Sequence, residues 1–157
     1  MPAVSKGKSG IALGALLMVA APLIVHYEGN VPHTYADING VATVCAGETG
    51  KDVTWGMQLT MEQCLARLDK RLAVEWGKFE PCIKRPITIN QAAALASWEW
   101  NVGVTAACHS SLIRKLNEGQ PPAVWCGEFL NWTYSGGRQL KGLVTRRQGE
   151  YALCVKP

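Results

Sequence analysis

His26-Tyr27-Glu28-Gly29-Asn30-Val31-Pro32-His33-Thr34-Tyr35-Ala36-Asp37-Ile38-Asn39-Gly40-Val41-Ala42-Thr43-Val44-Cys45-Ala46-Gly47-Glu48-Thr49-Gly50 is the stretch whose reading decides the fold. Asn39-Gly40, set between Tyr35/Ile38 and Val41/Val44, predicts a β-hairpin closed by a two-residue type I′ turn, because both residues accept positive φ. Asp37 then falls on the first arm and Thr43 on the second. Glu28 precedes the hairpin, at the end of an apolar run able to be helical. Two carboxyls on different elements, bridged by a short loop, can face each other across a cleft. Glycoside hydrolysis needs that arrangement: one acid protonates the leaving oxygen, and one carboxylate activates water or stabilises the oxocarbenium ion. The same residues also read as two ordinary solvated acids, with Asp37 simply favouring a turn. Spacing alone leaves both readings open.

A wider pattern bears on the choice. Glu28, Asp37 and Thr43 are separated by eight and then five residues. That separation resembles the catalytic spacing of the phage-type lysozymes, glycoside hydrolase family 24. The resemblance continues through Glu28-Gly29, Tyr35-x-Asp37, Gly40, Thr43-Val44, Gly47-x-Thr49-Gly50, Asn101-Val102-Gly103 and Ser111-Leu112-x-Arg114-Lys115. Trp132-x-x-x-Gly136-Gly137 and Gly142-Leu143-x-x-Arg146-Arg147 extend it, so it covers residues 27 to about 154. One departure stands out. The family commonly reads Gly-His-Thr after the threonine, and this chain has Gly47-Glu48-Thr49, which places a third acid near the cleft. The resemblance implies Glu28 as general acid, Asp37 as ionised partner, Thr43 as the residue orienting water, and Arg146 approaching the catalytic acid.

The chain has 157 residues, enough for one domain with a core stable without metals. Its apolar content is concentrated at the N-terminus, where Lys6 and Lys8 precede Ser9–Val25, a run with no charge. As a helix this run would reach roughly 26 Å, short of a ~30 Å hydrocarbon core. Its large aliphatics favour insertion by roughly 4 kcal/mol, with Ser9, Gly10, Gly14 and Pro22 working against it. Three readings compete. A cleaved signal peptide is the default for a basic-then-apolar start, but cleavage after Val19-Ala20-Ala21 puts Pro22 at the cut and leaves Glu28 near a loose terminus. A permanent anchor fits a short, glycine-bearing span poorly. The third follows from the resemblance, to the signal-arrest-release subgroup of endolysins, in which an uncleaved weak segment tethers the enzyme to the inner membrane until depolarisation. On that reading residues 1–26 form the segment and 27–157 the lysozyme-like catalytic domain. The lysines then set a cytoplasmic N-terminus and a periplasmic body, with export machinery of the Sec type implied.

Beyond the hairpin, Thr60-Met61-Glu62-Gln63 predicts a capping box opening a helix that carries Leu65, Leu68, Leu72 and Trp76 and ends near Gly77. Thr88 or Asn90 caps a second helix, Gln91 to Asn101, ended by Gly103. Ser110-Ser111 begins a third that stops at Gly119, and Pro121-Pro122 opens a fourth. Gly136-Gly137 makes a loop before a final helix from Leu143 to Val155. The fold class is therefore α+β: mostly helical, with one small hairpin lobe. Trp98 and Trp100 lie two apart on a helix and cannot share a face, so at most one reaches a cleft.

Six cysteines, none in the apolar run and none in a Cys-x-x-Cys motif, fit disulfides in an oxidising compartment better than zinc. Spacing permits fifteen connectivities. Neighbour pairing, Cys45–Cys64, Cys82–Cys108 and Cys126–Cys154, staples consecutive elements. No metal and no cofactor is expected. The formal net charge is +4. Arg138, Lys141, Arg146, Arg147 and Lys156 against Glu150 make the C-terminal segment basic. That suits an anionic wall polymer, and no nucleic-acid motif accompanies it.

The resemblance thus implies a muramidase acting on peptidoglycan glycan strands, with a transient partner in the host inner membrane through residues 9–25. Two alternatives stay open: a lytic transglycosylase, and a membrane-tethered wall-binding protein that keeps the fold without the chemistry.

Overall fold

The computed structural model describes residues 7–157; Lys6 lies outside them. Helix α1 spans Leu13–Glu28. Its sequence is rich in Leu, Ala and Met, and Gly29, at φ 76°, ends it by donating its N–H to the Val25 carbonyl at 2.8 Å. Pro22 sits inside the helix. It is exposed, as is Met18 one turn earlier, so the carbonyl that loses its partner faces water. Leu16, Ala20, Ala21 and Ile24 form the buried stripe. They pack on helix α3, Ile89–Val102, whose Ala92, Ala93, Ala94 and Ala96 are buried and let the two backbones approach closely. Burying Leu16 and Ile24 stabilises the docked helix by about 1.5–3 kcal/mol each. One face of the apolar N-terminal run is thus core in this structure, and α1 passes residue 26 without a break.

Strands β1 (Val31–Ala36) and β2 (Ala42–Cys45) pair antiparallel, with Tyr35 opposite Thr43. The predicted type I′ turn at Asn39-Gly40 does not form. Gly40 alone of that pair has positive φ, 76°. Gly40 N–H donates to the Asp37 carbonyl at 2.9 Å and Asp37 N–H to the Val41 carbonyl at 3.0 Å, closing a three-residue loop. Asp37 causes the difference: its Oδ1 accepts the N–H groups of Asn39 (2.8 Å) and Val41 (2.9 Å). A carboxylate that bonds its own turn in this way favours the longer loop. Asp37 therefore sits at the loop entrance, one residue past β1. The two-residue turn with both residues at positive φ occurs instead at Gly136-Gly137 (58° and 78°), between strands β3 (Tyr134–Ser135) and β4 (Arg138–Gln139). The fold therefore has a second small hairpin where a plain loop was expected.

Helix α2 (Met61–Phe79) opens on the expected Thr60–Gln63 capping box and continues past Gly77. Its buried face is Cys64, Leu68, Leu72, Trp76 and Phe79; Leu65 is exposed. Thr88 caps α3 with a second capping box, and Gly103 ends it at φ 91°. Helices α4 (Val104–Cys108), α5 (Ser111–Asn117) and α6 (Pro122–Gly127) follow, the last running into a 3₁₀ turn, Glu128–Asn131. Helix α7 is Lys141–Cys154. Trp98 lies at the centre of the helical lobe, edge-on to Phe79, Phe129 and Trp132. A smaller cluster of Val44, Cys45, Val53 and Cys64 fills the hairpin lobe. Disulfides join Cys45–Cys64, Cys82–Cys108 and Cys126–Cys154. Loops of these lengths contribute about 3 kcal/mol each by constraining the unfolded chain. The first ties β2 to α2 and the last ties α6 to α7.

Candidate active site

Glu28 is the last residue of α1, so its position is set by how that helix docks. From α7, Arg146 Nη1 donates to Glu28 Oε1 at 2.5 Å, while its Nη2 donates to the Ser97 carbonyl (2.8 Å) and its Nε to Glu150 Oε1 (3.2 Å). Arg147 Nε lies 2.9 Å from Glu150 Oε2, and its Nη2 donates to Asn101 Oδ1 at 2.7 Å. Burial pushes the Glu150 carboxyl up; Arg147, the Ser97 hydroxyl and Arg146 pull it back. This corrects one expectation. Arg146 and Arg147 are buried, in an ion-paired network rather than on a basic surface.

The Tyr27 ring lies 5.2 Å from the Arg146 guanidinium carbon. Its hydroxyl is seated on Gly149 of α7: a Cβ there would overlap the hydroxyl oxygen and stand 3.1 Å from Cζ. Substituting Gly149→Ala should therefore displace Tyr27 and, with it, the end of α1 that carries Glu28. Activity is expected to fall at least several-fold, and Tyr27→Phe in the same chain should restore most of it by removing the clashing oxygen. Comparing the two single variants and the double variant on isolated cell walls checks this.

The hairpin lobe reaches Glu28 through a second tight loop. Val44 and Glu48 exchange backbone hydrogen bonds of 3.0 and 2.9 Å, with Cys45 at φ 58° and Gly47 at φ 72°. A Cβ on Gly47 would stand 3.5 Å from Glu28 Oε2, so the loop presents a bare backbone to the carboxylate. Thr43, buried on β2, donates its hydroxyl to the Val41 carbonyl at 2.9 Å, leaving the oxygen's lone pairs as acceptors. Both turn bonds of Asp37 fall on Oδ1.

Glu48 is buried beside two arginines of α2: Arg71 Nε at 2.7 Å and Arg67 Nε at 3.6 Å. Asp52 takes the outer nitrogens of both, at 3.0 and 2.8 Å. Burial raises the Glu48 carboxyl, and the arginines oppose it. The sequence reading found the acid but not its partners. Their signal was present, since Arg67 and Arg71 stand four apart on one helix face. A cleft of about 620 Å³ runs from Gly47 past Glu48, Thr49, Arg67 and Arg71 to Glu99, Trp100 and Gly103. Trp100 lines this cleft, which meets Glu28 at Gly47, and Trp98 lies in the core. Among the described residues, no group of three or more His, Cys, Asp or Glu could hold a metal ion.

A helical lobe and a hairpin lobe that meet at a glutamate on a helix end define a lysozyme-like fold. The chain belongs to the phage lysozyme family, whose model matches residues 25–150, and it is a glycoside hydrolase of the lysozyme type. It is 38% identical over 162 residues to a SAR-endolysin of Enterobacteria phage P21, covering 98% of this chain and 96% of the relative. Among solved structures, the endolysin from Escherichia coli O157:H7 phage FAHEc1 superposes with a TM-score of 0.81 at 26% identity, covering 95% of this chain and 96% of that one. The active form of the P1 phage endolysin Lyz gives 0.77 at 22% identity over 96% of both chains. The secreted inactive form gives 0.50 at 23% identity over 68% of this chain and 75% of that one. The fold described here therefore superposes better on the active form of that protein than on its secreted inactive form.

Proposed function

We propose that this chain is a phage endolysin that hydrolyses the β-1,4 bond between N-acetylmuramic acid and N-acetylglucosamine in peptidoglycan. Glu28 protonates the leaving oxygen, Asp37 positions water or stabilises the developing cation, and Thr43 orients that water. Arg146 holds the Glu28 carboxylate in place, and the Glu48–Arg71 pair braces the loop that carries Gly47. The observation that carries the reading is the attachment of Glu28 to α1: the acid meets Arg146 and Gly47 only while the apolar helix lies in the core.

The same attachment supports control by the membrane. Residues 9–25 are the most apolar run of the chain, with Lys8 before them. Inserted with that lysine on the cytoplasmic side, they hold Glu28 at the periplasmic face of the membrane, away from Arg146. In the docked state α1 has 16 residues, and no helix among the described residues is long and apolar enough to cross a membrane. Insertion would thus require the helix to extend toward Ser9, and release would return it to α3. Mass spectrometry of fragments released from purified cell walls tests the chemistry. Hydrolysis leaves reducing-end sugars that carry one water; anhydro ends alone would replace this reading with transglycosylation.

A further inference from the structure

Four carboxyls line the cleft beyond Gly47, and three of them have cations. Glu48 and Asp52 share Arg67 and Arg71, and Glu75 has Lys78 at 3.1 Å. Glu99 has none. It is 1% exposed, and its Oε2 has no hydrogen-bond partner among the described residues. Buried polar atoms are nearly always partnered, and one that is not weakens the fold for no structural return. Such a departure is expected where a ligand completes the bond. Beside Glu99 stands Trp100, half-buried on the cleft wall. An indole face next to a buried hydrogen-bonding group is the pairing that a sugar ring, apolar on one face and polar at its edge, can satisfy.

We propose that Glu99 is a glycan-contacting residue of the cleft, giving its unpartnered oxygen to a hydroxyl or acetamido group of a sugar laid against Trp100. The inference rests on the muramidase reading above. Burial, reinforced by Glu75 and only partly offset by Lys78, pushes the Glu99 carboxyl up to about 7. Arg71 and Glu48, which also line this cleft, are already paired with each other. At pH 7 the acid is therefore protonated in about half of the molecules, and in that form its carboxyl can both donate and accept.

The test uses the full chain carrying Glu28→Gln, so that ligand is not consumed, titrated with the N-acetylglucosamine hexasaccharide. Glu99→Gln keeps a donor and an acceptor and should bind within about twofold of the parent. Glu99→Met should bind about tenfold more weakly, a loss of about one hydrogen bond, yet melt at the same temperature or higher. Glu99→Met should also remove part of the stability the parent loses between about pH 4.5 and 7, where the folded state holds a proton that the unfolded chain has released. Parent-like affinity in Glu99→Met overturns the proposal. So does a drop in melting temperature or a failure to fold, since the acid would then serve the structure. A defect seen only with fragments that carry stem peptide also overturns it, as does failure of the Glu28→Gln parent to bind the hexasaccharide when the chain with Glu28 intact hydrolyses cell walls. The muramidase reading is judged separately, by cell-wall hydrolysis of the chain with Glu99 intact.

Discussion

Replacing Glu28 with glutamine is expected to reduce hydrolysis of isolated cell walls by 10²–10⁴-fold, the contribution of a positioned general acid. The amide still accepts from Arg146 Nη1, and Arg146 keeps its bonds to Ser97 and Glu150. The fold should survive, with a modest loss because Glu150 then serves two arginines alone. Asp37→Asn should lower activity strongly for a different reason. Its side-chain carbonyl can still accept from Asn39 and Val41, so the loop stays closed while the charge is gone. Asp37→Ala removes loop and charge together and is the less informative variant. Loss of turbidity of outer-membrane-permeabilised cells, read beside thermal melting by circular dichroism, separates chemistry from folding. Near wild-type lysis by Glu28→Gln or Asp37→Asn would remove that residue from the mechanism.

The second large effect is expected from leucines at Ala12, Gly14 and Ala15. All three are exposed in the docked state, and a Cβ at Gly14 meets nothing within 4 Å. They should leave the released enzyme intact while strengthening the inserted state by about 0.5 kcal/mol each, roughly a tenfold shift toward the membrane in total. The same change at Ser9 or Gly10 is a poorer test. Ser9 is buried and its carbonyl accepts from Ile87 N–H at 3.0 Å, and Gly10 has φ 74°, so leucine there damages the docked state as well. Fractionation of depolarised cells should find the triple variant retained in the membrane, with lysis delayed. Lysis on the normal schedule by chain still in the membrane fraction would exclude inhibition by tethering.

Helix boundaries were legible where local chemistry decides them. Thr60–Gln63 and Thr88–Gln91 are capping boxes in sequence and in structure, and Gly103 ends α3 where a residue at positive φ is needed. The turn at Asn39-Gly40 was misread because Asp37 supplies two hydrogen bonds that a dipeptide rule does not weigh. Gly136-Gly137 forms the tighter turn, yet only two residues flank it on each side, too few to show alternation. Arg146 was reachable from its motif. The burial of Arg147 and Glu150 and the orphaned oxygen of Glu99 were not, because each depends on which elements pack together. Tyr27 and Gly149 make the point most clearly. They are far apart in the chain, and neither is informative until the end of α1 meets α7.

On the proposed function, one segment serves as both tether and core. Leu16, Ala20, Ala21 and Ile24 are buried in the lobe that positions Glu28, so the active enzyme should retain them. The direct measurement is the intact mass of soluble protein from depolarised cells that hydrolyses cell walls. A chain of 17.0 kDa with α1 whole is expected. A fully active protein cut between Val19 and Pro22, lacking Leu16, would rule out this double role.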